Sequence, residues 1–171
     1  MIHTIFGVGA LLAQIISVIL IISFFSKKDL KIKSFTKCNT LLLSFITSFL
    51  ATVGSLIYSE IIGFPPCTLC WYQRILMYPT VILTLVAFTK DFSKEIFYYI
   101  RALSYPGAAI ALYHSIIKMT GISPFPCSAF SVSGADCVKQ LVLEFGYINI
   151  PMMSFSFFIL LIILSYYGTK K

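Results

Sequence analysis

Two cysteines stand three residues apart in "PPCTLCWYQR", Cys67 and Cys70, at the mouth of a strongly apolar segment. Arg74 follows Cys70 by four residues. Pro65 and Pro66 end the preceding segment and set up a helix start, so the cysteines fall in about the first turn of the next helix. Unpaired backbone N–H groups there form a positive end that favours thiolate over thiol. A residue four positions on shares the same helix face, which puts the Arg74 guanidinium one turn from Cys70. Thiolate is the form of sulfur that attacks disulfides and donates electrons. The pattern predicts exchange chemistry at this pair.

Two other chemistries compete for the same residues. A CxxC pair is often half of a zinc site, but Cys127 and Cys137, with nine residues between them, lie outside the usual knuckle spacing. A static bridge is the more serious rival. Yet a bond between positions i and i+3 of one helical turn constrains almost nothing, so a purely structural role explains the pair poorly. His114, in "ALYHSIIK", is either ordinary hydrogen-bonded packing or a group near Arg74 that gives a hydrogen bond or proton to a bound acceptor. Glu60 pairs with Arg74 or His114, or merely faces water.

The elements that position these residues must live in lipid. Hydrophobic residues make up 58% of the 171-residue chain and charged ones 11%, too apolar for a water-soluble surface. A single all-α domain is expected, an integral membrane bundle with spans at about 4–25, 41–63, 69–88, 100–120 and 152–168 and an extracytoplasmic loop over 121–151. "MIHTIFGVGALLAQ" has no basic leader, and its lysines follow the apolar run, so it reads as a retained helix. With five spans, ten of the thirteen basic residues fall on one side; only Arg74, Lys118 and Lys139 fall at or near the other. That asymmetry puts the amino terminus outside and the carboxyl terminus in the cytoplasm. Membrane orientation thus accounts for the net charge of +7 without invoking nucleic acid. Arg74 itself sits on the wrong side for this pattern, and an ionisable group at such a depth is functional by default.

Topology also sorts the five cysteines. Two spans separate Cys67 and Cys70 from Cys127 and Cys137, so both pairs share the oxidising face. Cys38 lies one span away, behind a hydrocarbon core of roughly 30 Å. Bridged cysteines need Cα atoms within about 7 Å, so Cys38 is a bystander, read as a small buried hydrophobe. In the outer connection, "GISPFPC" is extended and "SVSGADC" is a polar turn. "VKQLVLEFG" then spaces Val138, Leu141, Val142 and Phe145 as one apolar helical face, which would lie flat on the bilayer and hold Cys137 at headgroup level.

"PCTLCWYQRILMYP" strongly resembles the CxxC–x3–Arg signature of the bacterial disulfide-generating membrane proteins of the DsbB/BdbC family. The likeness extends through "GSLIYSEI", "YHSIIKMTGISPFPC", "VSGADC" and "FGYINIP", over about residues 45–165, and is nearer to the BdbC type. The resemblance implies a four-helix core, here with one additional N-terminal helix. It implies a thiol:quinone oxidoreductase that reoxidises a secreted or membrane-anchored thioredoxin-like dithiol oxidase and reduces ubiquinone or menaquinone. It implies a bond between Cys127 and Cys137 attacked by that partner at Cys127, relay from Cys137 to Cys67, and Cys70 reducing the quinone. It assigns Arg74 and His114 to the quinone site. The Cys127–Cys137 loop is shorter than in DsbB. Against this stand a related reductase running in the opposite direction and a non-enzymatic membrane protein with structural outer disulfides. No span carries the ring of charges or broken helix pair of a pore or transporter.

Overall fold

The computed structural model describes residues 2–26, 31–89, 95–121, 143 and 145–169. They form six α-helices: α1 (Ile2–Phe25), α2 (Lys31–Cys38), α3 (Thr40–Leu56), α4 (Thr68–Thr89), α5 (Ile96–Thr120) and α6 (Ile150–Thr169). A π-helical turn, Ile57–Ile61, continues α3. In lipid every backbone polar group must find its partner within the protein, which is why apolar runs of this length fold as helices. Four stretches are long and apolar enough to cross a membrane: His3–Phe25, Thr40–Ile61, Thr68–Thr89 and Ile150–Thr169.

α5, expected as a fifth span, is the longest helix at 25 residues but is not among those four. Its polarity is the reason, and much of that polarity is turned inward. Ser104, His114, Ser115 and Lys118 are all buried.

The long helices run up and down. At one end His3 Nδ1 lies 3.3 Å from Tyr58 Oη, and Ser115 Oγ donates to Asn149 Oδ1 at 3.1 Å. At the other, Tyr167 Oη donates to Leu20 O at 2.8 Å, and Arg101 reaches Ser165. α6 is the central strut. Its most apolar window is 56% buried, against 28% for α1, the α3 stretch and α4. α5 lies closest to it because small residues remove the side chains between them. A Cβ on Gly107 would sit 2.4 Å from the Phe158 ring, so any larger residue must displace that ring. α1 packs its Ala13 and Leu20 against Leu160, Leu164 and Tyr167 of α6, while Gln14 Nε2 donates to Ser156 Oγ at 2.9 Å.

Two connections differ from expectation. The first is not simply a lysine-rich loop, because Lys31–Cys38 is helical, with Thr36 buried and Ile32 and Phe35 exposed beside the lysines. Such a helix suits a bilayer surface. In the outer connection, Val138, Leu141, Val142 and Lys139 lie outside the described residues. Phe145, the last position of the proposed amphipathic turn, has a left-handed φ of 52° and Gly146 one of 80°, so the chain turns there and is not helical. Asn149 then starts α6, its Oδ1 accepting the Met152 N–H at 2.9 Å.

Candidate active site

The site is built where α4 begins. Gly63, with φ of 77°, turns the chain out of the π-helical segment, and residues 63–67 run without helical bonds into α4. Cys67 is the residue before the helix, its carbonyl accepting the Trp71 N–H at 3.1 Å. Cys70 is the third residue inside. This geometry brings the two sulfurs to 3.3 Å, with Cys67 Sγ donating to Cys70 Sγ.

Behind Cys67 stands His114. Its Nε2 lies 3.6 Å from Cys67 Sγ, and its Nδ1 lies 3.1 Å from Gln73 Nε2. An amide nitrogen only donates, so Nδ1 accepts and the ring proton sits on Nε2, facing sulfur. Four groups therefore align donor to acceptor: Gln73, His114, Cys67, Cys70. Each bond in such a chain polarises the next, and the chain terminates on the Cys70 sulfur. The bond that Cys67 gives to Cys70, together with its burial, pushes the Cys67 thiol up to about 11, with His114 pulling the other way. Cys67 keeps its proton at neutral pH. His114 is fully buried, so it serves this chain and not solvent.

Arg74 lies on the same helix, 8% exposed. Its Nε donates to Ser55 Oγ at 2.9 Å and its Nη2 to Ser55 O at 3.0 Å. Its guanidinium carbon is 5.4 Å from the Trp71 ring centre, within cation–π range. The fork on α3 fixes a side chain that would otherwise snorkel.

Sulfurs and guanidinium line one cavity of about 100 Å³. A single water needs only about 10–15 Å³ of such space, so this is a ligand-sized hollow and not a packing flaw. The walls come from five helices, with Phe6 of α1, Met77 of α4 and Phe157 of α6 supplying apolar surface. The polar groups are few and convergent, as in a small-molecule site. A quinone fits this donor set: largely apolar walls, and a guanidinium whose Nη1 has no hydrogen bond among the described residues. The two sulfurs and His114 Nε2 also lie within 4.8 Å of one another, a spread one thiophilic ion could bridge. The Arg74 charge beside them opposes a dication.

Cys67, Cys70, Arg74 and His114, singled out from sequence, thus meet in three dimensions. Cys127 and Cys137 lie outside the described residues. Glu60 joins neither Arg74 nor His114; it is exposed and its Oε1 accepts from Ser59 Oγ at 3.0 Å. Cys38 is exposed at the end of α2, not buried. The 22 residues of the α3 stretch, about 33 Å at helical rise, still separate it from Cys67. Ser55, Gln73 and Lys118 are the residues that sequence reasoning missed. Gln73 had a signal, as an amide inside an apolar run beside Arg74. Lys118 had one too, a helical turn beyond His114. Ser55 had none, since small hydroxyls are ordinary in membrane helices.

Residues 37–168 match the family model for the disulfide bond formation protein DsbB. The chain is 43% identical over 113 residues to the SPbeta prophage-derived disulfide bond formation protein B of Bacillus subtilis (strain 168), covering 66% of this chain and 74% of that protein. It is 41% identical over 122 residues to disulfide bond formation protein C of the same organism, covering 70% and 85%. No solved structure matches it. A redox-capable cysteine pair at a membrane cavity and these likenesses agree: the chain belongs to the DsbB family of disulfide bond formation membrane proteins.

Proposed function

We propose that this oxidoreductase takes electrons from a secreted or membrane-anchored thioredoxin-like dithiol and passes them through two cysteine pairs to a membrane quinone. The observation that carries the reading is the alignment of Gln73, His114, Cys67 and Cys70, with His114 behind Cys67 and the other three lining a cavity that also holds Arg74. α5 is taken as a fifth span, because it runs the length of the bundle beside α6. The cysteine end then faces the oxidising side, with basic Lys31, Lys33 and Lys37 opposite.

In the relay, a partner thiolate attacks a Cys127–Cys137 disulfide at Cys127, and Cys137 leaves. Cys137 attacks Cys67 of the Cys67–Cys70 disulfide, freeing Cys70. The partner's second thiol displaces Cys127, which recovers its bond to Cys137 and leaves Cys67 and Cys70 reduced. The net change is one partner dithiol oxidised and one internal dithiol formed, with no electrons lost. A bound quinone supplies a two-electron, two-proton acceptor, and re-forming the Cys67–Cys70 bond delivers both. His114 Nε2 faces Cys67 Sγ, placed to hand over or take up the proton that each change of that sulfur requires.

The test is turnover of purified protein in nanodiscs, given a reduced thioredoxin-like oxidase and a quinone. Partner oxidation should need the quinone, and Cys67→Ser or Cys127→Ser should abolish it. Turnover persisting in either variant refutes the relay.

A further inference from the structure

Lys118 is the one buried ammonium described in the bundle, and the relay above leaves it unused. It is 8% exposed, lines the same cavity as Cys70 and Arg74, and forms no hydrogen bond or ion pair among the described residues. Among the described residues no acidic side chain lines that cavity. A lysine held in low dielectric without a partner is costly, and chains avoid the cost by snorkelling when they can. Lys118 sits in the last turn of α5, one turn from Gly121, where an outward rotamer would reach the bundle's end. Its side chain is instead buried against the cavity, and among the described residues its three donors meet no hydrogen-bond acceptor.

The geometry is that of two i, i+4 pairs facing each other: Cys70 and Arg74 on α4, His114 and Lys118 on α5. Within each pair one member belongs to the sulfur relay, and the other is a cation. Arg74 has two of its nitrogens committed to Ser55, which leaves Nη1. Among the described residues the cavity therefore offers two cationic groups with free donors, from different helices, across largely apolar walls. One cation would satisfy a sulfur anion at Cys70. Two demand an occupant that itself carries acceptor oxygens and gains negative charge.

Resting on the quinone reading of this cavity, we infer that Lys118 is a second headgroup-binding residue, its ammonium donating to a ring oxygen of the quinone alongside Arg74. This makes the site selective for rings bearing oxygen, and gives the accepted charge a counter-ion that does not have to move.

Trp71, the only tryptophan of the chain, contacts Arg74 and reports on the site by fluorescence. The binding probe is duroquinone, which has no lipid tail and no free ring carbon for thiol addition. The protein is held oxidised so that nothing turns over. Its binding to wild type, Lys118→Met and Lys118→Arg is followed by Trp71 quenching. Durene, the same ring without oxygens, is measured by competition. Lys118→Met should weaken duroquinone about tenfold or more, the usual worth of a hydrogen bond from a charged donor. Lys118→Arg should recover most of that, and durene should bind all three equally. Unchanged duroquinone affinity in Lys118→Met overturns the inference, and so does a matching loss for durene, which reports a deformed cavity. If Arg74→Met alone loses duroquinone, the quinone reading survives and Lys118 drops out. If wild type binds no duroquinone, the quinone reading fails and the inference with it.

Discussion

Two arginines lie within this bundle at opposite ends, and a serine grips each in the same way. Arg74 gives Nε and Nη2 to the hydroxyl and carbonyl of Ser55, at 2.9 and 3.0 Å. Arg101 gives Nε and Nη2 to the hydroxyl and carbonyl of Ser165, at 3.1 and 3.1 Å. The forks match; the surroundings do not. Arg101 adds a bond to Thr169 Oγ1 at 2.9 Å and lies 3.8 Å from the Tyr166 ring centre, a flush cation–π contact. Its neighbours complete it. Arg74 adds only a looser contact to Trp71 at 5.4 Å and borders a cavity with a sulfur and a second cation. A charge placed among helices is therefore not a site by virtue of depth alone. The donors left over after the protein has satisfied what it can are the better guide.

That contrast breaks most sharply in the two methionine variants. Arg74→Met should cut quinone-linked turnover about a thousandfold, as loss of a preorganised donor at a reacting centre does, with a smaller loss of thermal stability than Arg101→Met because it frees two acceptors and not three. Arg101→Met should leave turnover per folded molecule within about twofold and instead destabilise the bundle by about 1–3 kcal/mol, since it strips a charged donor from three acceptors. Turnover assays paired with thermal melts in detergent decide the matter. Comparable turnover losses in both would mean that the forks share one role.

The next largest effect separates the sulfur end by its proton chemistry. The Cys67 thiol is pushed up to about 11 by its bond to Cys70 and by burial, while His114 lowers it. In the reduced protein Cys67 is thus protonated below that value, and its alkylation should rise only as pH climbs through about 11. His114→Phe removes the lowering contribution, so the midpoint should move further up, and turnover at neutral pH should fall about a hundredfold. Site-resolved labelling by mass spectrometry reads the first quantity. A midpoint that moves down would mean that His114 does not donate to Cys67.

How much of this was legible in the sequence follows from range of interaction. Cys67, Cys70 and Arg74 are bound by one helical turn, and i, i+3 and i+4 spacing is information a sequence carries. Ser55 and Arg74 meet across 19 positions, and Gln73 and His114 across 41; no local pattern encodes such pairs. Lys118 was visible but counted as a flanking charge, because loop bookkeeping weighs lysines by side and not by whether they face a cavity. The π-helical turn at Ile57–Ile61 left no trace in composition, yet it carries buried Tyr58 against the cavity. α5 blurred the span pattern for a physical reason, since inward-facing polar groups lower hydropathy without exposing anything to lipid.

The smallest effect tests α1, which lies before the residues matched by the family model and touches both ends of the bundle. Near its start, Phe6 lines the cavity, 5.2 Å from the Tyr58 ring, and fits against Gly54 so closely that a Cβ there would sit 3.0 Å from it. Near its end, Phe24 packs edge-on to Tyr167 at 5.4 Å, at the end of the bundle opposite the Cys67–Cys70 pair. The two phenylalanines repeat the contrast of the arginines in apolar form: one faces a space left for an occupant, the other a space the protein fills itself. Phe6→Ala removes wall that a bound ring would contact, worth about 1 kcal/mol, and should raise KM for quinone about fivefold with kcat unchanged. Phe24→Ala should leave KM alone and lower the melting temperature. Steady-state kinetics at saturating partner, with quinone varied, separate the two. An unchanged KM in Phe6→Ala would make α1 a strut against α6 and nothing more, leaving the cavity to the four helices that follow it.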